Sequence, residues 1–152
     1  MKEFQRTSHQ VNFPELRSEV ILAFRQYFKK RQLENVETEI KACCATDSVR
    51  VKQGFFGRIF GRGDYVRNLV VFFTETRIFW CQTDTNDRRT ILSAKFKDIE
   101  ITDFDSGLVA DHGLEIFGSI DQFPERVQVF LGFGEEPAAQ NFIDRLKDAA
   151  RP

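Results

Sequence analysis

Residues 53–64, QGFFGRIFGRGD, gather the residue types best suited to work at a surface. Phe55, Phe56, Ile59 and Phe60 are large apolar side chains in a stretch with no strand or helix period to bury them. Arg58 and Arg62 interleave with them, and Lys52 and Arg67 flank the segment. Gly54, Gly57, Gly61 and Gly63 mark the stretch as a flexible loop. Apolar tips that enter the acyl boundary while cations meet anionic headgroups attach proteins to membranes. The same tips serve equally well against another protein, because exposed apolar patches generally mark interfaces.

Other reactive residue types are present but lack the spacing that chemistry needs. Cys43 and Cys44 are adjacent on a predicted strand, so their side chains point to opposite faces and do not share a metal. Cys81 lies on a different predicted strand, with no histidine pattern nearby. Buried structural thiols are expected. His9 falls in the N-terminal lead-in and His112 in a turn, next in sequence to Asp111. A catalytic histidine needs a positioned partner, and adjacency in sequence does not supply one. Ser93 and Ser106 sit in no nucleophile elbow. The glycines match neither a P-loop nor a dinucleotide fingerprint. Asp103, Asp105 and Asp111 lack the ligand order and closing glutamate of an EF-hand. Arg62-Gly63-Asp64 spells an integrin-type tripeptide, read as accidental. No enzyme, metal or cofactor is expected.

Charge is close to balanced overall, at −1, but unevenly spread. Arg50, Lys52, Arg58, Arg62 and Arg67 oppose only Asp64, whereas residues 98–125 hold eight acids and no Lys or Arg. Such asymmetry gives one molecule a basic and an acidic pole. The acidic segment argues against nucleic acid as a partner. The opening residues have no apolar core of a signal peptide, and no apolar run approaches a membrane span. The expectation is a cytoplasmic protein, with a peripheral place at the membrane as the second expectation.

The elements that must position these residues follow from periodicity. At 152 residues and 41% hydrophobic content, the chain suits one domain with its own core. Phenylalanine is unusually abundant, with 17 residues, and aromatics suit half-buried pleated surfaces. Residues 1–12 read as a polar, mobile lead-in to a single domain over 13–152. Leu16, Val20, Ala23, Phe24, Tyr27 and Phe28 recur at helical spacing, which predicts an amphipathic helix over 14–31. Its end is cationic, through Lys29, Lys30 and Arg31, as the helix dipole favours. Strands are predicted over 36–46, 66–73, 77–83, 89–95, 97–103, 113–119 and 126–132, with turns at TET and DTND. From Glu135 the helical period returns, with Pro137 in the first turn and Ala138, Ala139, Phe142, Ile143 and Leu146 as the buried stripe.

This order of elements resembles the pleckstrin-homology superfold, particularly bacterial PH-like and GRAM-type domains. The motifs that carry the resemblance are VVFFTETRIFWCQ, similar to the family's paired strands with a T-x-x-R turn, and ILSAKFKDIEITDF, similar to its K-x-I-type strand. The resemblance covers residues 36–150. It implies an antiparallel barrel or split β-sandwich over 36–132, mainly β within the α+β class. A C-terminal helix over 135–150 would plug the open end, and the N-terminal helix is extra. Family members that bind phosphoinositides carry a basic K/R-x-R motif in the first inter-strand loop. Here Lys52, Arg58, Arg62 and Arg67 fall at that loop, with Arg58 and Arg62 four apart, which leaves generic attraction to anions. The expected function is a non-catalytic binding or scaffolding module, engaging a protein or a second copy of itself. The alternative is a peripheral membrane adaptor that binds anionic lipid through residues 54–62.

Overall fold

Phe4–Gln10, a run of mostly polar residues, forms the first strand, β1, in the computed structural model, which describes residues 3–51, 63–105 and 111–152. The expected mobile lead-in is therefore corrected. The backbone of β1 pairs with strand β2 (Ala42–Arg50), from Phe4 opposite Arg50 to Gln10 opposite Cys44. A three-residue 3-10 turn at Phe13–Glu15 follows, and then helix α1, Ser18–Lys30. The predicted helix over 14–31 thus starts later, because Leu16 and Arg17 are extended. Val20, Phe24 and Phe28 recur every fourth residue on one buried face of α1.

The predicted strand over 36–46 divides into a one-turn helix, α2 (Val36–Glu39), and strand β2 (Ala42–Arg50). The following strands are β3 (Val66–Phe73), β4 (Arg77–Asp84), β5 (Arg89–Lys95), β6 (Ile99–Asp103), β7 (Gly113–Ser119) and β8 (Arg126–Gly132). Helix α3, Pro137–Ala150, ends the fold. Polar side chains shape the tight turns. Thr74 Oγ1 accepts from the backbone of Thr76 and Arg77 between β3 and β4. Asp84 Oδ1 accepts from Asn86 and Arg88 between β4 and β5, where Asp87 takes a left-handed conformation that aspartate tolerates.

The strands form two antiparallel sheets, in the orders β1-β2-β3-β4-β5 and β6-β7-β8. No barrel closes among the described residues, and the eight strands exceed the expected seven. The outcome agrees with the expectation of a mainly β, α+β fold with a C-terminal helix. One core lies between the sheets, where Leu69, Val71, Phe73, Ile78 and Trp80 meet Leu114, Ile116 and Leu131. Phe142, Ile143 and Leu146 of α3 enter this core, so the helix completes the interior. A second core lies on the other face of the five-stranded sheet. There Val70, Phe72, Phe79, Cys43 and Cys81 are covered by Phe24 and Phe28 of α1 and by Phe13. Burying each such side chain stabilises the fold by roughly 1.5–3 kcal/mol.

Candidate functional site

Of the residues expected to form the contact surface, Lys52, Phe55, Phe56, Arg58, Ile59, Phe60 and Arg62 lie outside the described residues. Arg67 lies on β3 and is committed within the molecule. It pairs with Asp87, and its Nε donates to the Asp84 carbonyl at 3.1 Å. With β1 ahead of it, the segment joining β2 to β3 is the second connection between strands rather than the first.

The base of that connection is held by stacking and by hydrogen bonds. The Arg50 guanidinium lies 5.3 Å from the Phe4 ring centroid and 5.1 Å from that of Tyr65. Its Nη1 donates to the Gly63 carbonyl at 3.0 Å, and its Nε sits 3.4 Å from Glu3. Asp64 accepts from Thr85 Oγ1 at 3.0 Å and from Asn86 Nδ2 at 2.8 Å. The β2–β3 and β4–β5 connections are thereby stitched together at one end of the sheet. Two apolar side chains stay in solvent beside this seam. Val49 is 60% exposed and Val51 39% exposed, and alternation along the strand places both on the same face. Arg88 and Arg89, at the adjoining β4–β5 turn, are exposed and have no side-chain partner among the described residues. Neither the valines nor this arginine pair stood out in the sequence, because their neighbourhood arises from strand pairing.

A second polar cluster joins β1 to the segment between β8 and α3. Arg6 donates from Nε and Nη2 to the two oxygens of Asp111, at 3.0 and 2.8 Å, and from Nη1 to Ser48 Oγ at 2.6 Å. The guanidinium passes over Gly132, where any Cβ would collide with it. Glu136 Oε2 accepts from the Ser8 backbone at 2.6 Å, and Ser8 Oγ accepts from the Gly134 backbone at 2.7 Å. A cleft of about 520 Å³ opens here between Arg6, Asp111, His112 and Glu136. Both carboxylates already accept from donors on β1, and Glu136 takes up a backbone N–H that this edge strand would otherwise leave unpaired. His112 accepts at its backbone carbonyl from the Phe133 N–H, and its buried Nδ1 has no hydrogen-bond partner among the described residues.

A third cluster ties α1 to the sheet. Ser93 Oγ lies 2.5 Å from the Tyr27 hydroxyl and donates to Asp121 Oδ2 at 2.6 Å, and the same oxygen accepts from Arg77 Nη1 at 2.6 Å. Burial is the main cause that raises the Tyr27 pKa. Ser93 is fully buried and both of its hydrogen bonds are committed. It therefore acts as a clamp between α1 and the β7–β8 connection. Spacings of 28, 44 and 66 residues between the members hid this cluster from the sequence.

The three cysteines are free and buried. Cys44 faces the inter-sheet core, while Cys43 and Cys81 face α1. Burial pushes the Cys43 and Cys44 thiols up to about 12 and that of Cys81 to about 11. Thiolates are the reactive form, so these groups are inert near neutral pH. Among the described residues, no three His, Cys, Asp or Glu side chains gather as metal ligands. No helix among them is long and apolar enough to cross a membrane. Compared with known families, curated proteins and solved structures, the chain gives no match.

Proposed function

We propose that this chain is a non-catalytic binding module of PH-like type that engages a protein partner, a second copy of itself included, through the end of the five-stranded sheet at the β2–β3 connection. The observation that carries the reading is the exposed pair Val49 and Val51, on one face and leading directly into the Phe-rich segment. Burying two such valines against a partner removes apolar surface from water, which drives association. The arrangement of five and three antiparallel strands, with a C-terminal helix entering the core between them, supports the PH-like assignment.

The second reading is attachment to an anionic membrane surface, favoured by exposed Arg88 and Arg89 at the same end. Sedimentation of wild type and of Val49→Ser/Val51→Ser across a concentration series separates the two. The expected result is a mass above that of the monomer for wild type, which falls to the monomer in the variant at unchanged melting temperature. A wild type that stays monomeric removes self-association. Flotation with anionic vesicles that weakens with salt, and is lost in Arg88→Glu/Arg89→Glu, would replace it with the membrane reading.

A further inference from the structure

Among the described residues, strand β6 is an edge of the three-stranded sheet, with no strand paired to its outer side. The Phe104 backbone donates to the Gly113 carbonyl, which fixes the parity of the β6–β7 ladder. Glu100 and Thr102 therefore exchange bonds with β7, and the N–H and C=O of Ile101 point the other way. Neither group has a partner among the described residues. Beyond this edge lie two clefts of about 650 and 500 Å³ that share Ile99, Ala150 and Arg151 and so form one groove between β6 and the last turns of α3. Its floor is apolar, from Phe96, Ile99, Ala149 and Ala150. Beside the start of β6, Lys95 and Lys97 have no ion-pair partner among the described residues; Arg151, paired with Asp148, stands opposite, and Glu75 also lines this end. The other end is crossed by the Lys147–Asp103 ion pair at 2.6 Å, in which Asp103 is largely exposed. Such a pair is held weakly and yields readily to a ligand.

An unpaired strand edge, an apolar floor and cations at one end together describe the site of an added β-strand. Main-chain hydrogen bonds supply affinity there, and alternate side chains supply specificity. We propose that the β6–α3 groove binds an extended acidic peptide segment of a partner protein as an antiparallel strand against β6. The antiparallel direction sets the peptide's C-terminal end beside Lys95 and Lys97, so acidic residues belong at that end. Apolar side chains at alternate positions would then rest on Ile99 and Ala150. This site lies at the end of the five-stranded sheet carrying the β3–β4 turn, away from the surface around Val49, since the Phe96 backbone bonds to Thr76.

Fluorescence anisotropy with three synthetic seven-residue peptides tests this. All alternate valine and threonine, with two glutamates at the C-terminal end, at the N-terminal end, or absent. Saturable binding of the first peptide is expected, with the other two weaker by about tenfold, a difference of about 1.4 kcal/mol. Methylating the peptide nitrogens that face β6 should abolish binding while leaving the protein untouched. Lys95→Glu/Lys97→Glu should weaken it, and Val49→Ser/Val51→Ser should leave it unchanged, which keeps the result separate from the module's proposed contact surface. Amide shifts centred on Ile101 would locate the peptide. No saturable binding, equal binding of all three peptides, or indifference to N-methylation would each overturn the proposal.

Discussion

The two sheets have strands of similar length but are covered differently. The five-stranded sheet carries core on both faces: Leu69, Val71 and Phe73 point toward the second sheet and α3, and Val70 and Phe72 point toward α1. Its central strands therefore bury consecutive residues, and β3 is buried from Asn68 through Phe73. Among the described residues, the three-stranded sheet carries a core on one face only. In β7, Leu114 and Ile116 face inward, while Phe117 stays 44% exposed beneath the Arg126 guanidinium, 4.7 Å away. The contrast shows that continuous apolar runs and strict alternation come from layer position rather than from strand type.

The largest expected effect tests that contrast directly. Phe72 sits among the rings of Phe13, Phe24, Phe28 and Phe79, with centroids 5.6, 4.8, 6.2 and 5.0 Å away. Phe72→Ala leaves a cavity at the centre of the α1 layer and should cost about 3–5 kcal/mol in urea unfolding. Phe117→Ala removes the same number of atoms from the open face and should change stability by no more than about 0.5 kcal/mol. Comparable losses in the two variants would mean that the open face of the small sheet is covered in solution.

The same contrast explains what could be seen in the sequence. Strands 66–73, 89–95, 113–119 and 126–132 were legible to the residue, because each is bounded by turn residues whose side chains hold the turn or whose backbone needs their freedom. Within β7, Gly118 meets a separate demand, since it has a positive φ and any Cβ there would strike the Asp98 carbonyl. β1 was not legible. Only Ser8 of its seven residues is buried, and FQRTSHQ has too little apolar content to signal a strand. Its partner register and the Glu136 cap hold it in place. β2 was placed too early because Val36 and Ile40 continue the apolar pattern across α2, which ends where Lys41 bonds to Phe73. The polar clusters were wholly hidden. Arg6 and Asp111 are 105 residues apart, and no local spacing encodes their meeting.

A smaller effect should come from the seam between the two sheets. Asp121 lies in the β7–β8 connection yet accepts from Arg77 of β4 and Ser93 of β5, and its backbone N–H donates to the Ser93 carbonyl. Asp121→Ala leaves a largely buried guanidinium and a buried hydroxyl without their acceptor, at a cost of about 2 kcal/mol. Arg77→Ala/Asp121→Ala should recover part of this, because the unpaired charge is then gone. A double variant as unstable as the sum of the single ones would show that the pair does not act as a unit.

The smallest effect per group distinguishes the faces of the large sheet by pH. Each thiol titrates near 9 when exposed, but in the fold Cys43 and Cys44 are held near 12 and Cys81 near 11 by burial. Below pH 9 both folded and unfolded chains keep these protons, so the thiols add no pH dependence. Above pH 9 the unfolded chain releases protons that the folded chain retains. Stability therefore falls as pH rises, and each thiol goes on contributing to the fall until its folded pKa is reached. The loss should be on the order of 1 kcal/mol per thiol by pH 10. Urea unfolding from pH 8 to 10 measures it, with Cys43→Ala/Cys81→Ala reporting the α1 face and Cys44→Ala the inter-sheet face. Because two of the three thiols lie under α1, the double variant should flatten the alkaline slope more than Cys44→Ala does. An equal slope in wild type and in a variant lacking all three thiols would assign the alkaline loss to other groups, Tyr27 foremost, whose pKa burial also raises.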